Sequence, residues 1–292
     1  MHILVLGAHG MLGHAMVASW RQFRPDDTIT ALDLPDLDLG NRLTTMDQIE
    51  LHRPDVIINA AGINDINWLQ THPNSARTIH LVGTTALCDA ARKIHAKLVQ
   101  ISCAEVFHRE SPGLEPPREE DEPEPNSIFG RTKREQERIA LDSPNALVVR
   151  TGLLFDDLRP TGAGNVVESV LRVARRTRSF SVLADVETSL TRTRDLVLAL
   201  ASLVHADGSG IWHVAGRGTP TLLDIATFLL NSDKKYSEHT ITPITLKEYG
   251  HPAPHSHSTT LNCDKYHRSG AFPPLPLWTD ALNLWLQETR RS

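Results

Sequence analysis

Cysteine is scarce. Cys88, Cys103 and Cys263 are the three in 292 residues, widely spaced and without a C-x-x-C pair. An odd, dispersed set argues against a disulfide scaffold or a cysteine zinc site and suits a reducing compartment. Basic excess is also missing: the net charge is −5, so no bulk basicity recruits nucleic acid or an anionic membrane. No apolar stretch approaches the roughly 18 residues of a membrane span. The apolar run from Met1 ends at Gly7 without a basic n-region, so no signal peptide is expected and the expected location is cytoplasmic. Tyrosine is confined to Tyr236, Tyr249 and Tyr266. Residues 1–235 therefore contain no phenol, which bears on the chemistry below.

What is present is an alternation. Ile3–Leu6, Thr28–Leu32, Asp55–Ala61, Lys97–Ser102 and Ala146–Arg150 are short apolar or β-branched runs. Between them lie helical patterns at Met11–Phe23, Asn74–Ile94 and Ser127–Leu141. Continuous apolar strands alternating with helices predict a parallel sheet covered on both faces, an α/β doubly wound (Rossmann) fold. Residues 108–126, rich in proline and acids, read as a surface loop between a strand and a helix of that series. Further helices are expected around Asn165–Arg176, Asp195–His205, Thr221–Leu230 (capped by Thr219 or Thr221) and Trp278–Thr289, with strands near Phe180–Leu183 and Ile211–Val214. The expected organisation is a dinucleotide-binding domain over 1–150, with 180–214 returning to it. A smaller C-terminal α/β substrate-side region would comprise 151–179 and 215–292.

Gly7-Ala8-His9-Gly10-Met11-Leu12-Gly13 falls where the first strand turns into the first helix. Glycines at this spacing permit a tight turn, close backbone approach to a pyrophosphate and close helix–strand contact, and the helix start favours phosphate charge. Asp33 ends the second strand. Its carboxylate can accept hydrogen bonds from a ribose 2′,3′-diol and repels a 2′-phosphate, so NAD(H) is expected over NADP(H).

With GAHGMLG come RPDVIINAAG (53–62), ISCAEVF (101–107), REEDEPEPNSIFGRTKREQE (118–137), STTLNCDKYHRSG (258–270) and LPLW (275–278). On these segments the chain resembles the extended short-chain dehydrogenases/reductases, most of all the dTDP-4-dehydrorhamnose reductase family. It is also similar to a non-reducing relative, the regulatory subunit of methionine adenosyltransferase. The resemblance implies that Asp38 and Leu39 flank the adenine, that Ala60, Ala61 and Gly62 line the cofactor's ribose and phosphates, and that Lys133 bonds the nicotinamide ribose.

The departures fall at the expected reaction centre. The family's Tyr-x-x-x-Lys element reads Phe129-Gly130-Arg131-Thr132-Lys133. In the family the phenol protonates the substrate carbonyl oxygen. Phe129 has no proton to give, and general acid catalysis contributes about 10²–10⁴-fold, so ordinary carbonyl reduction is expected to suffer severely. Cys103, after Ser102, stands where the family has Thr or Ser; it reads either as a group beside the carbonyl or as a small residue closing a strand. His80 stands where relatives carry Asn and reads as a replacement proton donor or a hydrogen-bonded core histidine. Glu105 takes the place of a tyrosine, as a buried acid of raised pKa or as a solvated loop glutamate.

His251, His255 and His257 lie among prolines with no cysteine or carboxylate beside them, so a loop rather than a metal site is expected. Arg172, Arg175, Arg176 and Arg178 form either a solvated face or a phosphate contact. Thr188–Arg192 alters a turn on the family's substrate side.

These features leave an atypical NAD(P)-dependent oxidoreductase with a non-standard proton donor, acting on a small molecule such as a nucleotide sugar. The alternatives are a catalytically silent dinucleotide-binding regulator or scaffold and a redox-neutral NAD-dependent enzyme. A homo-oligomer or a regulated protein partner stays open.

Overall fold

The computed structural model describes residues 1–156, 165–270 and 272–290. Residues 157–164, part of the expected substrate-side region, lie outside the described residues, as do 271 and 291–292. Five strands, β1 (His2–Leu6), β2 (Thr28–Leu32), β3 (Val56–Asn59), β4 (Lys97–Cys103) and β5 (Leu147–Thr151), join a sixth, Gly210–His213, in one parallel sheet. Its spatial order runs from the Gly210–His213 strand through β5, β4, β3 and β1 to β2. The register pairs Leu6 with both Leu32 and Asn59, Asn59 with Gln100, and Cys103 with Thr151. The chain moves outward from β1 to β2, then crosses back to β3 on the other side of β1. That reversal opens a crevice at the carboxyl ends of β1 and β3, where α/β sheets of this kind bind ligands.

Both faces of the sheet are covered, which is why its strands read as unbroken apolar runs. Ile3 and Val5 of β1 join Val56, Ile58 and Val99 in a core under helices Met11–Phe23 and Thr193–His205, filled by Trp20, Leu196 and Leu200. Leu4 and Leu6 face the other way, with Ile57, Leu98 and Val148, against helices Arg42–His52, Gly83–Ile94 and Ile128–Leu141. Successive side chains of a strand point to opposite faces, so one short run serves two cores.

The expected Asn74–Ile94 helix is interrupted. Pro73–Ala76 leads into a π-helical turn, Arg77–Val82, before the helix resumes at Gly83–Ile94. The helix is seated closely there, since a Cβ on Gly83 would lie 3.0 Å from Leu39. Such π turns recur at functional sites, and this one carries His80, which is 1% exposed.

Strand Ser179–Leu183 pairs with Thr240–Ile244 apart from the central sheet. Helices Val166–Ala174, Leu222–Asn231 and Trp278–Thr289 form a third core with Phe155, Tyr236 and Trp285. The middle helix starts at a capping box in which Thr221 and Asp224 exchange hydrogen bonds. The 108–126 loop is fastened to the domain: Glu119 accepts from the His213 N–H at 2.9 Å, and the Pro117 carbonyl from the Asn262 N–H at 2.9 Å.

Candidate active site

The glycine loop is built around close backbone contact. Gly7 has φ +79°, and a Cβ there would lie 2.7 Å from Ala61. A Cβ on Gly13 would stand 2.0 Å from the Gly7 carbonyl oxygen. Gly10 N–H donates to that same oxygen at 3.0 Å. The helix that follows has no side-chain cap and no acid in its first turn, so its leading N–H groups stay available to an anion. Asn59 fixes the opposite wall. Its amide donates to Gln100 across the β3–β4 boundary at 2.9 Å, and its oxygen accepts from the Ala61 N–H at 3.2 Å. That bond holds the Ala60–Gly62 turn against the loop.

Asp33 sits beside this turn. Its two carboxylate oxygens accept from the backbone N–H groups of His9, at 2.7 Å, and Leu34, at 2.8 Å. The side chain keeps 22% of its surface in solvent, which leaves lone pairs for a ribose diol. Asp38 is exposed and caps its own turn through Gly40 N–H, whereas Leu39 is buried in the core. Asp33, Asp38 and Leu39 thus lie in the segment beyond β2, apart from the main cleft.

That cleft, about 510 Å³, is bordered by Gly10, Met11 and Leu12 on one side and Ala60, Ala61 and Gly62 beside them. Ser102, Cys103 and Glu105 border it from the carboxyl end of β4, His80 from the π turn, and Phe129 and Lys133 from the Ile128–Leu141 helix. All five expected catalytic positions therefore meet in one place. Asn165, Val166 and Thr259 extend the wall from the later part of the chain.

Lys133 is 8% exposed. Its ammonium donates to the Ile101 carbonyl at 2.8 Å and to Gln136 at 2.6 Å, and Gln136 in turn donates to Thr84. Burial lowers its pKa, while Cys103 and Glu137 oppose that shift. An ammonium has three donors, so one remains for a ligand. Phe129 packs among Leu69, Ala76, Ile63, Ile66 and Cys103, with the His80 ring edge-on at 6.1 Å.

His80 is held between Thr132, whose hydroxyl lies 3.2 Å from Nδ1, and the Ile63 backbone. Burial and the Lys133 charge lower its pKa to about 3. A ring that is neutral at physiological pH and fixed on both sides suits the core-histidine reading better than a proton donor. Burial pushes the Cys103 thiol up to about 12, so it stays a thiol.

Ser102 turns away from this chemistry. Its hydroxyl donates to Glu137, which is paired with Arg150 through two bonds of 2.8 and 2.9 Å. Arg150 also donates to His213 Nε2 at 3.2 Å and lies over the Phe107 ring. His213 Nδ1 faces the Asn262 carbonyl at 3.1 Å, and burial lowers its pKa to about 3. Neutral His213 accepts from Arg150 and donates to Asn262, so the chain closes with matched donors and acceptors. Neither this network nor the Asn59–Gln100 pair is visible in the sequence, because Glu137 lies in a helix rich in Arg and Glu and its partners, like Asn59 and Gln100, lie on separate strands.

Residues 1–291 match the model of the RmlD substrate binding domain family. The chain belongs to that family. It is 30% identical to a dTDP-4-dehydrorhamnose reductase of Mycolicibacterium smegmatis, over 96% of this chain and 83% of that protein. It is 27% identical to the spore coat polysaccharide biosynthesis protein SpsK of Bacillus subtilis, over 98% and 97%. A crystal structure of a dTDP-4-dehydrorhamnose reductase from Clostridium acetobutylicum superposes with a TM-score of 0.91 at 25% identity, covering 99% of this chain and all of that one. The expected extended short-chain dehydrogenase/reductase architecture is therefore present.

The other candidates lie elsewhere. Arg172 and Arg178 reach Ser169 and Glu238 at the surface, and none of the four arginines of that segment borders the cleft. The His251 and His255 rings lie against each other at a tilt of 42°, with centroids 4.1 Å apart, and both meet Asn67. No group able to hold a metal occurs among the described residues. Thr188–Arg192 is buried, and Arg192 pairs with Glu288. Among the described residues no helix is long and apolar enough to cross a membrane.

Proposed function

We propose that this protein is an NAD(P)-dependent oxidoreductase acting on a keto group of a nucleotide-linked sugar, with NAD(H) preferred over NADP(H) and a proton donor other than tyrosine. The observation that carries this reading is the meeting of the glycine loop, the Ala60–Gly62 turn, Lys133 and the end of β4 around one cleft. The relatives, a dTDP-4-keto-6-deoxy-D-glucose reductase and a dTDP-4-dehydrorhamnose reductase among them, suggest the substrate class. A relative of 24% identity, the dTDP-4-dehydrorhamnose reductase of Bacillus anthracis, was crystallised with NADP.

The residues present fit a dinucleotide. The cradle at Gly7, Gly10 and Gly13 is one that side chains would fill, and the unpaired N–H groups at the start of the first helix suit a pyrophosphate. When bound, the nicotinamide supplies the hydride for carbonyl reduction. Lys133 keeps one donor for the ribose, and Ala60–Gly62 shapes the wall beside it. Asp33 offers acceptors to a ribose diol and repels a 2′-phosphate.

Phe129 is the specific feature favouring the alternative, a dinucleotide-binding regulator that turns nothing over. Calorimetric titration with NADH and NADPH tests the shared premise. Binding of NADH supports it, and a chain that binds neither cofactor refutes both readings.

A further inference from the structure

We infer that Glu105 is the catalytic acid of this site, its carboxyl group protonating the substrate carbonyl oxygen in place of the absent phenol. The inference rests on the reductase reading above and names the group that reading leaves open.

The placement of Glu105 follows from its neighbours. It belongs to a single 3₁₀ turn, Ala104–Val106, at the carboxyl end of β4. Ala104, Val106 and Phe107 are buried in an apolar cluster with Ala215, Leu261 and Cys263. Glu105, between them, lines the cleft instead. The turn is locked against the helix that carries Phe129: a Cβ on Gly130 would stand 2.3 Å from the Glu105 carbonyl oxygen. Glu105 and Phe129 thus border the same cleft from abutting elements. Among the described residues the carboxyl group has no hydrogen-bond or ion-pair partner, unlike Glu137, Glu119 and Glu187. A half-buried carboxyl with unused donor and acceptor capacity, facing a ligand cleft, is poised for a ligand.

Elimination points the same way. Among the described residues, four titratable ones line the cleft: His80, Cys103, Glu105 and Lys133. His80 is neutral and held by Thr132 and Ile63, Cys103 is a thiol near 12, and Lys133 already serves Ile101 and Gln136. Burial raises Glu105 to about 7, so it alone among them holds a releasable proton at neutral pH and ionises readily. That is the range in which general acids work best.

In the step, the carbonyl carbon accepts a hydride, with its electron pair, from the reduced nicotinamide. The C=O π pair moves onto oxygen, and that oxygen takes the Glu105 proton. The alcohol forms, the nicotinamide ends oxidised, and water reprotonates the Glu105 carboxylate.

The test combines a titration without turnover and a single-turnover assay. The infrared band of the protonated Glu105 carboxyl, assigned by its loss in Glu105→Gln, is followed against pH in the cofactor-free protein. Its midpoint is expected at about 7, and a midpoint near the ordinary 4.5 overturns the inference. NADH oxidation with a dTDP-4-keto-6-deoxy sugar is then compared between wild type and Glu105→Gln. The variant is expected to bind NADH as wild type does and to lose about 10²–10⁴-fold in rate, and the wild-type rate is expected to fall as pH rises through the midpoint. Turnover surviving in Glu105→Gln overturns the donor role alone. A wild type that binds NADH but turns over no keto-sugar nucleotide overturns the reductase reading and the donor role with it.

Discussion

Removing Glu137 should be among the most damaging single changes in this chain, and restoring neutrality should partly repair it. Glu137 and Arg150 are 3% and 2% exposed. The carboxylate receives two guanidinium bonds, at 2.8 and 2.9 Å, and the Ser102 hydroxyl. Glu137→Ala leaves a buried guanidinium whose remaining polar neighbour is neutral His213 at 3.2 Å. Breaking a buried pair from one side costs about 3–5 kcal/mol, because the surviving charge is uncompensated. At about 2–3 °C per kcal/mol for a chain this size, the melting temperature should drop by roughly 6–15 °C. Replacing both partners, Glu137→Met with Arg150→Met, removes the stranded charge. What remains is the Ser102 hydroxyl, which Glu137→Ala strands as well, and one imidazole nitrogen of His213, at about 1–3 kcal/mol. The double variant should therefore be the more stable of the two. Equilibrium urea unfolding of wild type, Glu137→Met, Arg150→Met and the double gives the coupling directly. If the double variant is no more stable than Glu137→Ala, the pair is not behaving as a buried ion pair and the reasoning fails.

Stability should also fall in acid. Unfolding lets His80 and His213 take protons below their ordinary 6.5, which the folded chain resists down to about 3. Each therefore removes about 1.4 kcal/mol per pH unit across that window. Glu105 works oppositely, its contribution being present below 4.5 and lost as pH rises towards 7. Urea midpoints should decline from pH 6.5 to 5, less steeply in His213→Asn, and a flat profile would contradict both histidine assignments. Gly13→Ala should abolish measurable NADH binding, since the added Cβ must displace the helix from the Gly7 carbonyl; unchanged calorimetric affinity would show the loop is not the cofactor cradle. NADH should bind at least tenfold tighter than NADPH, roughly 1.4 kcal/mol, with the gap narrowed in Asp33→Ser. Phe129→Tyr should raise single-turnover NADH oxidation by less than the about 10²-fold of a restored general acid, because Glu105 already fills that role; a larger gain would mean an intact reductase missing one atom.

Much of the architecture is legible in the chain because β1, β3 and β5 are buried along almost their whole length, which imprints continuous apolar sequence. The glycine loop is legible for a similar reason, as Gly7 and Gly13 stand where side chains do not fit. Other features depend on tertiary contacts that a local pattern does not encode. The π turn at Arg77–Val82 interrupts a stretch with ordinary helical periodicity, since a one-residue change of register leaves little trace in composition. In the sequence Glu105 reads first as a solvated loop residue, and only the burial of Ala104, Val106 and Phe107 around it turns it to the cleft. Ser102 looks like a member of the reaction centre, yet the partner that claims its hydroxyl is 35 residues away. Glu137 and Arg150 look like surface charges because the helix and strand that juxtapose them are read separately.

The most direct measurement mixes wild-type protein with one equivalent of NADH and a panel of keto-sugar nucleotides, and follows NADH absorbance through a single turnover. An oxidoreductase of the proposed kind oxidises the bound NADH in step with appearance of the alcohol for at least one member of the panel. NADH that binds yet stays reduced with every member would contradict it and leave a dinucleotide-binding regulator in its place.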